Sequence, residues 1–292
     1  MDVEDATVES EIVFRWSDPM SSNWAGFTDK VISNILIRSN ESPEKIEAVK
    51  QLALNGWAVG EGLANATDID VGILINADEW SGLHARPGRV ESPVSMDGGR
   101  TITNVTPDLT LQTVEIEDDL AVDMQDFPNP MIFSEIAIAE SAHDAQRPYL
   151  HRVRAKSLTQ NYQTWELYAD DSRGYEGPDR APTSRDYFTV GTSLCLMSQL
   201  TANQMFLQKQ GIEIKDFRVE HQFDYQQDGF MTPATTGHLD GVTTRVIVKG
   251  DVEKDAVMDF AKQALRMCFA GEGIQQATDM ETSVYLNGDM LR

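Results

Sequence analysis

Cysteine is scarce in this chain of 292 residues, occurring only as Cys195 and Cys268. So low a count excludes a four-thiolate zinc site and argues against the disulfide framework of a small secreted protein. Basic residues are also few. Lys and Arg total 24 against 47 Asp and Glu, for a formal net charge of −23. Nucleic acid needs a basic face, as does an anionic membrane surface, so neither is an expected partner. The acidity fits solubility or a salt-rich habitat. No apolar run approaches the ~18 residues that span a bilayer. The N-terminal MDVEDATVESE is acidic and polar, unlike a signal peptide, and the expected location is cytoplasmic. The histidines (His84, His143, His151, His221, His238) show no HExxH or related metal spacing. GWAVGEGLA has neither the GxGxxG pattern nor a Walker lysine, and DIDVG from Asp68 lacks the glycine and glutamate of an EF-hand loop. Neither a cofactor nor a metal is expected.

What the chain does have is a repeated segment. AVGEGLANATD follows Trp57, and FAGEGIQQATD follows Cys268. The match extends backwards. AGFTDKVI (Ala25 to Ile32) parallels DGVTTRVI (Asp240 to Ile247), with one gap of four residues after that strand. EIVFRWSD (Glu11 to Asp18) loosely parallels FRVEHQFD (Phe217 to Asp224). Each copy reads β–β–α–β and closes on a strand, IDVGILIN from Ile69 or METSVYLN from Met280. The shared G-E-G and A-T-D read as helix stop and strand entry. Trp57, standing where the other copy has Cys268, reads as a core filler.

Between the copies, Pro87 to Pro130 is rich in turn formers, with strand-like alternation in RTITNVTPDLTLQTVEIED. NPMIFSEIAIAESAHDA (Asn129 to Ala145) reads as a helix, and His151 to Tyr168 as a β-hairpin. A long helix follows, with Thr183 and Asp186 as its capping box and Gly211 as its stop. Phe188, Thr192, Cys195, Ala202 and Phe206 share one stripe of it, and Gln199 is the polar break one turn beyond Cys195. The later helix places Val257, Phe260, Ala261, Ala264, Leu265 and Cys268 on another stripe. Both thiols therefore face the core, where free cysteine packs as a small inert hydrophobe. A reactive role needs a thiolate and hence a cation. Cys195 lies about ten residues into its helix, beyond help from the helix N-terminus, and Cys268 lies at a helix end, near carbonyls that disfavour a thiolate. Arg152, Arg154, Arg173, Arg180 and Arg185 lead into the Cys195 helix, each either a solvated charge or the activating cation.

The stretch from His151 to the C-terminus resembles the OsmC/Ohr family, the osmotically inducible and organic hydroperoxide resistance proteins. N-terminal strands and a turn-rich loop precede a central helix with an internal cysteine (GTSLCLMSQL). Then come an exit through QKQGIEIKDFRVE, a hairpin, and a second helix ending in cysteine (ALRMCFAGEGI). The resemblance implies an α+β, OsmC-like fold with antiparallel sheets packed around long buried helices. It also implies that Cys195 is a peroxidatic thiol and Cys268 its resolving partner, with a hydroperoxide as substrate and a dithiol as reductant. Two positions depart from the family pattern. Phe269 follows the second cysteine where the family has proline, and TSRDYF stands where peroxidase members carry Asn/Thr-Pro-Glu. Arg185 lies near that glutamate position, Asp186 is its possible substitute, and Arg154 and Arg173 are the candidate activating cations. Family members are homodimers of chains about half this length. The repeat therefore reads as a fused pseudo-dimer of two tandem homologous halves: 1–147, a degenerate half without cysteine, and 148–292, which carries both. Whether the first half is permuted is left open: the 129–145 helix is either its displaced central helix, with Ser141 near the thiol position, or an unrelated linker helix. Further homodimerisation is left open. So are two other functions: Cys195 as nucleophile on an organosulfur or acyl substrate, and non-catalytic small-molecule binding.

Overall fold

The computed structural model describes residues 3–17, 23–76, 79–82, 112–113, 134–143, 150–157, 164–171, 177, 180–209, 211–229 and 232–291. The N-terminal elements are β1 (Val3–Ser17), β2 (Ala25–Ser39), α1 (Pro43–Asn55), α2 (Ala58–Ala64), β3 (Ile69–Ile75) and the short β4 (Glu79–Gly82) and β5 (Gln112–Thr113). A meander follows, of β6 (Ser134–His143), β7 (Leu150–Ser157) and β8 (Trp165–Asp170). The chain ends with α3 (Ser184–Lys209), β9 (Asp216–Asp228), β10 (Thr236–Lys249), α4 (Lys254–Met267), α5 (Phe269–Gln275), β11 (Asp279–Leu286) and β12 (Asp289–Leu291). Among the described residues no helix is long and apolar enough to cross a membrane.

The strands form an eight-stranded sheet, β12-β11-β2-β1-β6-β7-β8-β5, and a four-stranded sheet, β4-β3-β10-β9. Helices lie between them: α2 touches both β10 and β11, and α5 touches both β2 and β3. The sheets are not purely antiparallel as expected. β3 pairs parallel with β10, and β11 pairs parallel with β2. The reason is an exchange. After α1 and α2 the chain does not return to the sheet of β2 but crosses to that of β10, and β11 makes the reverse crossing.

These crossings recur at one constant separation, that between Asn76 and Asn287. Ile69 pairs with Val242 as Met280 pairs with Val31. Asn76 Nδ2 donates to the Gly250 carbonyl at 2.9 Å and its Oδ1 accepts the Gly250 N–H at 3.0 Å. Asn287 treats Ser39 in the same way, at 2.9 and 3.1 Å. Both asparagines take positive φ, 50° and 52°, a conformation that asparagine tolerates better than most side chains. Thr67 N–H donates to the Ile274 carbonyl and Thr278 N–H to the Leu63 carbonyl. The hairpins obey the same separation, with Ile12 opposite Val31 and Phe223 opposite Val242. The contacts thus match Val31 with Val242 and Ile12 with Phe223, and no gap is needed. The strand alignments read from the sequence are shifted, because alternating apolar residues look alike in several registers.

A-T-D leads into β3 and β11 as expected, but the G-E-G segments are not helix stops. They are the short helices α2 and α5 themselves. Glu61 Oε2 accepts the Leu239 N–H at 2.9 Å, and Glu272 Oε2 accepts the Thr28 N–H at 2.8 Å. The second glycine of each segment admits that strand. A Cβ on Gly62 would stand 2.5 Å from Leu239, and one on Gly273 would stand 2.7 Å from Thr28.

The core follows from the helical stripes. Val257, Phe260, Ala261 and Ala264 of α4 are buried against Leu196 and Leu200 of α3, while Lys254, Asp255, Asp259 and Lys262 face solvent. On α1, Ile46 is buried against Val284 and Leu286. The capping box of α3 forms as expected: Thr183 N–H and Oγ1 both donate to Asp186 Oδ2 at 2.8 Å, and Asp186 N–H returns to Thr183 Oγ1 at 3.3 Å. Gly211, with φ 78°, carries the chain away from α3.

The helix expected over 129–145 is, where described, strand β6. SEIAIAES alternates with period two, and β6 is hydrogen-bonded by β1 on one side and β7 on the other. Pairing on both edges overrides alanine's helix propensity. Ser141 accordingly sits in the sheet opposite Val8 and Val153, not at a helical thiol-like position. The hairpin expected over 151–168 is β7 and β8. The strands expected within Pro87 to Pro130 lie outside the described residues, apart from Gln112 and Thr113.

If the asparagine clasps hold the crossings, Asn287→Ala should lose two hydrogen bonds at about 1 kcal/mol each and strain a positive-φ position. Asn287→Gly should lose the bonds alone. Urea unfolding should rank wild type above glycine above alanine; an alanine variant of wild-type midpoint contradicts the assignment.

Candidate functional site

Helix α3 carries Cys195 on its core-facing stripe, half-buried against α4. Cys268 is 2% exposed and stands at the break between α4 and α5, with φ −78° and ψ 103°. It is the C-cap of one helix and the N-cap of the next. Its sulfur accepts the Gly271 N–H at 3.4 Å, so a donor faces the thiol where helix-end carbonyls were expected. Its counterpart Trp57 caps α2 in the same place, with its ring folded over Gly60 and packed into the apolar core.

Cys195 packs against the buried cluster that contains Cys268. The Cys268 pKa is pushed well above a thiol's ordinary value, first by hydrogen bonding with Cys195, then by burial and by the charge Cys195 would carry. Cys268 therefore keeps its proton and donates it towards Cys195. Both are free thiols. Around them the packing is apolar: Leu196, Ile73, Val246 and Ala264 belong to the same cluster.

The charged candidates have partners of their own. Arg154 on β7 faces Glu166 across the sheet, with Nε 3.5 Å from Oε2. Arg180 donates through Nε to the buried Asp170 at 3.1 Å. Arg185 lies 6.0 Å from the Tyr225 ring centroid. It sits ten residues before Cys195 on the same helix, which at 1.5 Å per residue is about 15 Å away along the axis. Asp186 is engaged in the helix cap. Arg173 lies outside the described residues. The structure thus joins Cys195 to Cys268 and gives Arg154, Arg185 and Asp186 other contacts. Among the described residues, no three His, Cys, Asp or Glu side chains cluster to hold a metal.

Sequence reasoning gave His221 no role. Its strand, β9, alternates Phe217, Val219, His221, Phe223 and Tyr225 towards the helices. The imidazole stacks on Phe223 at 6.0 Å, and neither ring nitrogen has a hydrogen-bond partner among the described residues. Burial lowers its pKa from 6.5 to about 4. Strand alternation could have placed it inward; nothing in the sequence signals its lack of a partner. The aromatic group beside Cys268 also went unread. Phe269 stacks on Trp16 at 5.0 Å and meets Phe14 at 5.3 Å, and Trp24 packs edge-on against Trp16 at 5.6 Å.

His221 sets a pH dependence. Its folded pKa lies below its unfolded one, so the stabilisation from a neutral imidazole is complete above pH 6.5 and is lost as pH falls from 6.5 towards 4. The loss is on the order of 3 kcal/mol. His221→Leu should lower the urea midpoint less than wild type does between pH 7 and pH 4.5. Equal falls in both proteins would contradict this.

Comparison with known proteins places both cysteines inside one recognisable segment. Residues 177–283 match the family model for OsmC-like proteins. No curated protein matches the chain significantly. Similar solved structures include an organic hydroperoxide resistance protein OsmC from Legionella pneumophila. It is 18% identical, covers 51% of this chain and 95% of its own, and has a TM-score of 0.34. An OsmC-like hydroperoxide resistance protein from a Jannaschia species is 15% identical over 53% of this chain and 95% of its own, with a TM-score of 0.35. The organic hydroperoxide resistance protein OhrB of Bacillus subtilis is 15% identical over 47% and 96%, with a TM-score of 0.29.

Proposed function

We propose, from the OsmC-like segment at residues 177–283, that this protein reduces organic hydroperoxides with Cys195 as peroxidatic thiol and Cys268 as resolving thiol. The observation that carries the reading is the packing of Cys195 against the buried cluster that contains Cys268. Burial divides their roles. Cys195 is the more exposed and meets the substrate, while Cys268 is sealed in the core and keeps its proton.

In the first step the Cys195 thiolate attacks the peroxide oxygen. The O–O bond breaks, the alkoxide leaves and takes a proton as the alcohol, and Cys195 becomes a sulfenic acid. In the second step the Cys268 sulfur attacks the sulfenic sulfur. Hydroxide leaves with the Cys268 proton as water, and a disulfide forms. A dithiol reductant then restores both thiols by exchange. Ionising Cys195 calls for a cation; Arg154 is paired with Glu166, and the reading keeps Arg173 as the candidate.

The same reading takes the chain as a fused pseudo-dimer, divided as 1–147 and 148–292. Its support is the single separation that relates the paired contacts of β1 to β3 with those of β9 to β11. It also accounts for there being one site. Where α4 buries Phe260, Ala261 and Ala264 under α3, α1 has a half-buried Val49, Lys50 bonded to Glu47, and an exposed Ala53. The first half lacks the packing surface for a thiol-bearing helix as well as the thiol.

Cumene hydroperoxide should convert the protein to a form two mass units lighter, with titratable thiols falling from two to zero; two thiols throughout would refute the reading. Cys268→Ser should still be oxidised once at Cys195 but should stop turning over with a dithiol. Sustained turnover by that variant would favour Cys195 acting alone on an organosulfur or acyl substrate.

A further inference from the structure

The constant separation between the two sets of elements sorts the contacts around Cys268. Those that recur serve the scaffold common to both sets. The Thr28 N–H bond to Glu272 recurs as the Leu239 N–H bond to Glu61. The close approach of Gly26 to the Met267 carbonyl recurs as that of Gly237 to the Gly56 carbonyl; an added Cβ would stand 2.5 Å from the oxygen in either place.

Other contacts have no counterpart: two fall on Phe269, the residue after Cys268, and one on Gln263 near the end of α4. Thr28 Oγ1 donates to the Phe269 carbonyl at 2.9 Å in a buried bond. At the matching position stands Leu239, which has no hydroxyl. The Phe269 ring stacks on Trp16 and meets Phe14 at a tilt. Its counterpart is Ala58, and theirs are Gln227 and Tyr225. Gln263 Nε2, on the last turns of α4, donates to the Trp24 carbonyl at 3.1 Å, where the matching residue is Leu52. The cysteine-free hairpin therefore makes contacts at the thiol end that the other hairpin does not make at Trp57.

We propose that the end of the β1–β2 hairpin is a positioning device for Cys268, with Thr28 as its polar anchor and the Trp16–Phe269 stack as its apolar one. This rests on the two-thiol reading given above. Cys268 sits at a non-helical break whose backbone direction aims the sulfur. Closing a disulfide requires an S–S bond of about 2.05 Å with a restricted dihedral, so small rotations at the break matter. The Thr28 hydroxyl and the aromatic stack hold Phe269, the first residue after that break. The first half of the chain thus acts on the second thiol without touching the substrate, as a positioning element.

The test compares Thr28→Val, which keeps the shape and removes the hydroxyl, with Thr28→Ser, which restores it. Two rates are measured by stopped-flow with cumene hydroperoxide: the loss of the Cys195 thiolate and the closure of the disulfide. The Cys195–Cys268 equilibrium against glutathione is measured separately, because it reads geometry without any peroxide. Thr28→Val should leave the first step within about twofold. It should slow closure, and lower the effective thiol concentration in glutathione, on the order of tenfold. Slower closure should also raise Cys195 sulfinic acid by mass. Thr28→Ser should recover both values, and Trp16→Leu, which leaves the hydroxyl in place, should give the same split. The proposal is overturned if Thr28→Val closes at the wild-type rate, if serine fails to rescue it, or if both steps slow together. If the wild type forms the disulfide in glutathione but ignores hydroperoxide, the peroxidase reading fails, and the glutathione comparison still decides the role of Thr28.

Discussion

Two strands in this molecule are given away. β3 leaves the hairpin that precedes it and completes the sheet of β10, while β11 leaves its own hairpin and completes the sheet of β2. Each crossing is locked at its far end by an asparagine at positive φ that both donates to and accepts from the strand it joins. Because the exchange is reciprocal, neither sheet is complete without the other. The helices that carry the crossings are held between the sheets, and that is where the thiols lie.

The exchange explains why glycine and glutamate recur around Trp57 and Cys268. Each short helix must reach a strand of the opposite sheet. Its glutamate takes the strand's N–H, and its second glycine lets the backbone come close. With that geometry repeated, the residue before each short helix is free to differ. In one place a tryptophan fills the space over Gly60; in the other a cysteine meets the Cys195 sulfur and the Gly271 N–H. The difference between scaffold and site is one side chain deep, but its surroundings were changed to match. Phe260 and Ala261 are buried under α3, whereas Val49 and Lys50 in the matching positions of α1 are only half-buried.

Net charge and acidic surface bear little on this centre. The thiols lie in a largely apolar cluster, and charged residues that lead into α3 have other partners: Asp186 in a helix cap, Arg154 with Glu166, Arg180 with Asp170. In an apolar setting an ionised thiol is costly. That is why the buried Cys268 keeps its proton.

The amphipathic stripe of α4, the capping box and glycine stop of α3 and the β7–β8 hairpin were all legible in the sequence. Each depends on neighbours within a few residues. The two cysteines stood out by the same means, since few residues of their kind compete. The register of the repeated strands was not legible, because alternation looks the same after a shift of two or four residues and only the cross-strand partner decides. Nor was β6, whose alanines favour a helix until strands bind both its edges. Local periodicity determined which faces are buried. Only the tertiary structure decided that Cys195 and Cys268 meet, and that Thr28 and Trp16, from the far end of the chain, hold the residue beside one of them. Such contacts join residues hundreds of positions apart, and no local rule of the chain encodes them.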